Sequence, residues 1–298
     1  MNRRPGSQIT AAEVLSRAAT LGNVDARGAV TIRDGSHAIF ELPNGIVARI
    51  GKPHSYRTAQ RELCISQWLN RNGIKTVEAV NSIPQPTVVD ERPVTWWALI
   101  PDHRPSTPEE LGRMLRRLHA LTPPIEFPLP SYMPFDGLRE SIESAIMIEE
   151  DDRTWLLEQY ARLHQRYDEL DDSLPPCVIH GDAWQGNLVV PTSGDPTVLD
   201  LDKVSVGWRE WDLVQLAVDY TDFRRITDDQ YQSFVDAYGG YDVTRWPGYR
   251  VLADIQELRW VGFALARSGT SQAAKTEAAH RIACLRGLVP KPWTWQAL

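Results

Sequence analysis

The sequence predicts an α+β fold in two lobes: an N-terminal lobe built on an antiparallel sheet, over about residues 1–101, and a larger, mostly helical C-terminal lobe over 102–298. Three observations predict it. Ala38–Leu42 and Ile46–Ile50 are short β-prone runs joined by Pro43-Asn44-Gly45, a strong hairpin signal. From Ser106 onward apolar residues recur mainly at helical intervals. Between the helical runs, Val178–Asp202 returns to strand patterning and gathers acids and an amide around a turn.

Residues 8–20 carry helical periodicity with Thr10 as N-cap. Strands are expected at Ala29–Ile32, Ala38–Leu42 and Ile46–Ile50, then an amphipathic helix over Tyr56–Leu69 that ends at Gly73. Pro86–Asp90 and Val94–Ile100 read as strands. The second is apolar throughout, as a strand buried on both faces should be, and Pro101-Asp102 breaks it. Ser106–Leu121 is a helix with Thr107 as cap, Pro108 in the first turn, and Glu109 and Glu110 at its positive end. Pro123–Pro134 is an irregular crossing segment. Helices follow over Gly137–Glu150, Thr154–Leu170, Trp211–Thr221, Thr227–Tyr238, Gly248–Arg267 and Ser271–Leu288, and the tail from Pro290 is expected to pack on the helical lobe.

Composition bounds the function. Charged residues at 24% and hydrophobic ones at 42% are the mixture of a soluble globule, and the longest apolar run, Val94–Ile100, is far too short to span a bilayer. No signal peptide is visible, and Cys64, Cys177 and Cys284 have neither metal nor disulfide spacing, so a cytoplasmic protein with buried structural thiols is expected. Residues 1–100 hold 12 Lys and Arg against 8 Asp and Glu, whereas residues 101–298 hold 20 against 31. A basic half beside an acidic half suits a phosphate site facing a cationic acceptor and disfavours nucleic acid.

The chemistry concentrates in Val178–Asp202. His180, Asp182 and Asn187 stand as H-x-D-x-x-x-x-N, the spacing of a kinase catalytic loop in which the Asp takes a hydroxyl proton and the Asn holds metal. Apolar Leu188–Val190 and Thr197–Leu201 flank the turn formers Pro191–Pro196, and a hairpin of that length returns Asp200 beside Asn187. A carboxylate and an amide oxygen then converge, which suits Mg²⁺. Asp202, expected on the same strand face, could assist through a second metal or a water.

With these residues laid out, HGDAWQGN at His180–Asn187, LDLD at Leu199–Asp202 and GWREWDL at Gly207–Leu213 resemble the phosphotransferase enzyme family, which includes aminoglycoside, macrolide, choline and fructosamine kinases. The resemblance runs from about Ala38 to about Tyr220. It implies a protein-kinase-like two-lobe fold, a donor nucleotide (ATP or GTP) and Mg²⁺ held by Asn187 and Asp200, with Asp182 catalytic. The nucleotide-covering loop would be Arg33–His37, where backbone N–H groups of Gly35, Ser36 and His37 could cradle phosphate. Only one glycine stands there, so it is no G-x-G-x-x-G.

Arg49 stands where the family carries a Lys, with Glu62 as its helix partner. Because a planar fork replaces a point charge, the grip on phosphate must differ. Leu99, Ile100 and Asp102 would form the hinge that meets the adenine ring. Asp212 resembles an acid that braces the catalytic loop, and His119 reads as a packed helix-end histidine. Trp184, Asp219, Asp222 and Glu257 fall where relatives build the acceptor pocket. The expected reaction is transfer of the γ-phosphoryl group to a hydroxyl of a small molecule, first an antibiotic such as an aminoglycoside, with antibiotic resistance as the role. The alternatives are kinase action on a cellular amino alcohol or sugar, and a catalytically silent nucleotide-binding module.

Overall fold

Thr10 opens the first helix through a capping box: its side chain accepts the Glu13 N–H while Glu13 reaches back to the Thr10 N–H. The computed structural model describes residues 9–34, 37–170, 175–192 and 194–298. In chain order these form α1 (Ala11–Gly22), β1 (Val30–Asp34), β2 (Ala38–Leu42), β3 (Ile46–Ile50), α2 (Tyr56–Arg71), β4 (Thr87–Val89), β5 (Arg92–Ala98), β6 (His103–Pro105) and α3 (Pro108–His119). Then come α4 (Leu138–Glu143), α5 (Glu150–Asp168), β7 (Cys177–Ile179), β8 (Leu188–Pro191), β9 (Thr197–Val198) and β10 (Ser205–Gly207). The chain ends in α6 (Arg209–Thr221), α7 (Asp228–Tyr238), α8 (Tyr249–Arg267) and α9 (Gln272–Leu285). It divides into two compact units, one from Met1–Pro105 and Gly186–Val204, the other from Ser106–Gln185 and Ser205–Leu298.

The first unit holds a five-stranded antiparallel sheet in the order β1-β2-β3-β5-β4. The period of two sorts its faces. Ala38, Phe40, Leu42, Ala48, Ile50, Val94 and Trp96 share one buried cluster with Val14, Leu15, Ala18 and Ala19 of α1. Arg49 therefore points to the opposite face, opposite Ile39 on one side and Thr95 on the other. The hairpin of β8 and β9 extends a second small sheet, β6-β8-β9, in the same unit.

The second unit is mainly helical, with β7 and β10 as a short antiparallel pair. Helices α3 and α7 cross so closely that a Cβ on Gly112 would lie 2.5 Å from the Phe234 carbonyl oxygen. The C-terminal tail packs here: Trp293 and Trp295 are buried and stack at 5.5 Å, with Phe223 and Trp260 at their edges. Among the described residues no helix is long and apolar enough to cross a membrane.

Three local expectations are corrected. The helix expected over Gly137–Glu150 stops at Glu143, because the Arg153 guanidinium takes the carbonyls of Ile142, Glu143 and Ala145 that a longer helix would use. The acids Glu150, Asp151 and Asp152 instead form the first turn of α5, where the helix dipole favours them. Cys64 and Cys177 are only half-buried, unlike Cys284.

Candidate active site

The first unit holds a charged cluster centred on Arg49. Its Nη1 pairs with Glu62 of α2, a residue 3% exposed. Its Nη2 lies 3.5 Å from Asp200 Oδ1 and 3.4 Å from His37 Nδ1. Burial, with Arg49 beside it, pushes His37 down to about 4, so the ring is neutral at neutral pH and Nδ1 accepts from the guanidinium. Burial pushes the Glu62 carboxyl up to about 7, against the pull of Arg49. Arg49 is thus brought together with Glu62 as an ion pair and with the neutral His37 ring, while Ser36 lies outside the described residues.

The hairpin brings Asn187 and Asp200 near each other. The Asn187 carbonyl accepts the Leu199 N–H at 2.8 Å, with Leu188 paired to Val198. Asn187 and Asp200 therefore stand at the same end of one hairpin, which is pinned by the Thr76 hydroxyl on the Val198 carbonyl at 2.7 Å. Asp200 adopts a left-handed conformation (φ 53°, ψ 67°), and Leu201–Lys203 turn as a 3₁₀ segment. Asp202 is therefore not on a strand face beside Asp200, as expected from the alternation. Its backbone carbonyl takes the Arg61 guanidinium at 3.4 Å, which fits a brace between the turn and α2.

Among the described residues no three His, Cys, Asp or Glu side chains converge as a metal cluster. Asn187 and Asp200 offer one amide and one carboxylate oxygen. That donor set fits Mg²⁺, which keeps several waters and takes its remaining ligands from phosphates.

Part of the expected adenine hinge is already engaged. The Leu99 N–H donates to the Gly45 carbonyl at 2.9 Å, and the Asp102 carbonyl accepts from both the N–H and the hydroxyl of Thr192 at 3.2 Å. These two groups belong to the fold of the unit and not to a ligand. Ile100, between them, follows the end of β5.

The second unit holds the loop that bears Asp182. Gly181 takes φ 81°, a conformation that glycine adopts without strain. The Asp212 carboxylate, in the first turn of α6, accepts the N–H of His180 at 2.6 Å and of Gly181 at 2.8 Å. His119 Nε2 meets the same carboxylate at 3.1 Å, and its Nδ1 meets the Tyr238 hydroxyl at 2.8 Å. The Gly181 carbonyl accepts from Trp211 Nε1 at 3.2 Å and from the Tyr132 hydroxyl at 3.3 Å. His180 is 1% exposed and its Nδ1 accepts the Asp182 N–H at 3.3 Å, so it anchors the loop from within. Asp182 follows this braced turn, half-buried, and Trp184 beyond it is 45% exposed. Tyr132 was not singled out by its sequence. It lies in a Pro-rich stretch with no periodicity, and its bridge to β10 through the Val206 carbonyl at 2.8 Å helps to place it.

The other expected acceptor residues are not free acids. Asp222 and Glu257 are 4% and 2% exposed, both paired with Arg250 (2.7 and 2.6 Å) and both near Lys291 (2.7 and 3.8 Å). Arg250 also holds Asp254 at 2.7 Å. Asp219 pairs with Arg225 at 2.6 Å. These carboxylates are neutralised and belong to the helix packing. A signal was legible: Arg250, Asp254 and Glu257 stand at i, i+4 and i+7 on one helix face. A concavity of about 420 Å³ in this unit is lined instead by Met133, Phe135, Asp136, Glu140, Glu143 and His164, among others. Phe135 and His164 stack at 4.8 Å, and Arg139 pairs with Glu143 at 2.7 Å.

The model of the Phosphotransferase enzyme family matches residues 38–254. The chain belongs to that family. Solved phosphotransferase-family folds superpose well at low identity. An amicoumacin kinase, hAmiN, in complex with AMP-PNP, Ca²⁺ and Ami, gives a TM-score of 0.69 at 15% identity over 93% of each chain. Aminoglycoside phosphotransferase APH(3'')-Id from Streptomyces rimosus, with ADP and streptomycin, gives 0.62 at 19% identity, over 83% of this chain and 98% of that one. Choline kinase LicA from Streptococcus pneumoniae gives 0.63 at 12% identity, over 92% and 100%.

At these identities the likeness shows the fold, which is protein-kinase-like. A probable ketoamine kinase from Lactiplantibacillus plantarum is 37% identical over 83 residues, 26% of this chain and 27% of that relative's length. The chain is accordingly a member of the Phosphotransferase enzyme family with a kinase-like fold.

Proposed function

We propose that the protein moves the γ-phosphoryl group of ATP or GTP to a hydroxyl of a small molecule, with Asp182 as the catalytic acid–base group. The observation that carries this is the clamp of Asp212 on the His180 and Gly181 N–H groups, which fixes the turn immediately before Asp182. Catalysis of this kind is positioning and charge neutralisation more than covalent chemistry, so a braced acid is what it requires. The acceptor oxygen attacks the γ-phosphorus, its proton passes to the Asp182 carboxylate, and the bond to the β-phosphate oxygen breaks to release the nucleoside diphosphate.

Arg49, held by Glu62, would steady the phosphates. His37 at the loop end would lie over them, and Ile100 would meet the adenine edge. Asn187 and Asp200 would hold Mg²⁺, which when bound supplies charge neutralisation at the β- and γ-phosphates. The acceptor reading favours a cation-bearing molecule with the antibiotic class first. It is supported by the aromatic-floored, acid-bearing concavity at Phe135, Asp136 and Glu140, in the same unit as Asp182. Trp184 adds an exposed ring for stacking. The partial match to a probable ketoamine kinase supports a second reading, an amine-bearing sugar of metabolism.

The test is a screen for acceptor-dependent ADP or GDP release with Mg²⁺ and either nucleotide, run against panels of aminoglycosides, other antibiotics, amino alcohols and ketoamines. Turnover with a hydroxyl-bearing cation supports the reading. Nucleotide binding without acceptor-dependent turnover on any panel would replace it with a silent nucleotide-binding module.

A further inference from the structure

Arg49 faces Glu62, Asp200 and His37 at once, and the cluster shows what the shape of its side chain allows. A guanidinium is a planar fork with fixed N–H directions, unlike the compact ammonium of Lys. Nη1 is spent on Glu62, in a buried pair, and Nη2 faces Asp200 Oδ1 at 3.5 Å and His37 Nδ1 at 3.4 Å. The fork cannot retreat far. Arg49 sits in β3, which is paired on both sides, and its side chain is 15% exposed. With Asp200 read as a metal ligand, one carboxylate would serve two cations, one built into the sheet and one divalent.

We propose that Arg49 is a positioning residue that couples nucleotide to metal: its Nη2 holds the Asp200 carboxylate until phosphate oxygens take Nη2 over, so that divalent cation and nucleotide assist each other's binding. This rests on the reading of Asn187 and Asp200 as metal ligands. Without nucleotide, an incoming cation meets the positive guanidinium across one carboxylate and must share or displace it. With nucleotide, the phosphates bring negative charge to Arg49 and supply Nη2 with another acceptor. Each ligand then raises the affinity of the other by the same factor, as linkage requires.

The test is Mn²⁺ binding followed by the loss of the free-ion EPR signal, without nucleotide, for wild type, Arg49→Met and Asp200→Asn. Arg49→Met removes the charge and keeps the length. Its Mn²⁺ affinity is expected to exceed wild type by about two- to fivefold, the worth of a partly exposed ion pair. Asp200→Asn is expected to lose most of the binding. In a second arm, the ratio of ADP affinities with and without Mn²⁺ should fall in Arg49→Met.

Because Arg49→Met leaves Glu62 unpaired and buried, the double variant Arg49→Met/Glu62→Gln repeats the measurement if circular dichroism shows the single variant unfolded. Unchanged or weaker Mn²⁺ binding in the folded charge-free variant, with Asp200→Asn still defective, overturns the coupling and leaves the metal site standing. Unchanged Mn²⁺ binding in Asp200→Asn overturns the metal site itself, and the coupling with it.

Discussion

The carboxylate of Asp212 accepts the backbone N–H of His180 at 2.6 Å, across 32 residues of chain. Together with the Gly181 N–H and His119 it is fully satisfied inside the helical unit, at 1% exposure. Removing it strands two buried donors. Asp212→Ala is therefore expected to lower stability by about 2–4 kcal/mol, measured by urea unfolding. It should also depress turnover more than nucleotide affinity, since the turn before Asp182 loses its brace. A variant as stable as wild type would contradict the clamp.

The Asp222–Glu257 pair predicts a pH dependence. Burial, and then the hydrogen bond to Asp222, raise the Glu257 carboxyl well above its ordinary 4.5. Burial also opposes ionisation of Asp222, but Glu257, Lys291 and Arg250 outweigh it and hold Asp222 at about 2. Glu257 thus contributes stability that is complete below its unfolded value and is lost as pH rises toward its folded one. Asp222 contributes stability that is present above 3.8 and lost as pH falls toward 2. Glu257→Gln keeps a donor toward Asp222 but does not titrate. Relative to it, wild type should lose stability steadily as pH rises above 4.5, read as the difference in urea midpoints. Parallel midpoints across that range would refute the shared proton.

Gly112 predicts a packing defect. A methyl at this position would press on the Phe234 carbonyl oxygen at 2.5 Å and on its ring at 3.2 Å, so α3 and α7 must part. Gly112→Ala should cost about 1–3 kcal/mol despite the better helix propensity of Ala, measured by thermal or urea unfolding. A gain in stability would mean the crossing is looser than described.

Much of the architecture could be read from the chain because its signals are local. Thr10, Thr107 and Thr227 each cap a helix that periodicity had already marked, and Pro43-Asn44-Gly45 closes the hairpin of β2 and β3. The pairing of Arg49 with Glu62 was expected from the resemblance and is formed. What escaped depends on distant partners or on strands too short for a period to register. Strands β6 and β10 span three residues each, and Tyr132 gains its place from Gly181, Val206 and Trp211, all distant in the chain. Asp222 and Glu257 read as open acids, because the Arg250 and Lys291 that neutralise Asp222 lie 28 and 69 residues further along. Alternation carried Asp202 onto a strand, but β9 ends at Val198 and the left-handed turn at Asp200 leads into a 3₁₀ segment.

The central claim is that Asp182 acts on the acceptor hydroxyl and not on the nucleotide. Its most direct test pairs two measurements on Asp182→Ala: nucleotide affinity by calorimetry with Mg²⁺ present, and the rate of phosphoryl transfer to an acceptor found by the screen. The account predicts nucleotide affinity within about threefold of wild type and a fall in kcat of at least about 100-fold, the scale of a lost general base. Turnover that survives the substitution would contradict it.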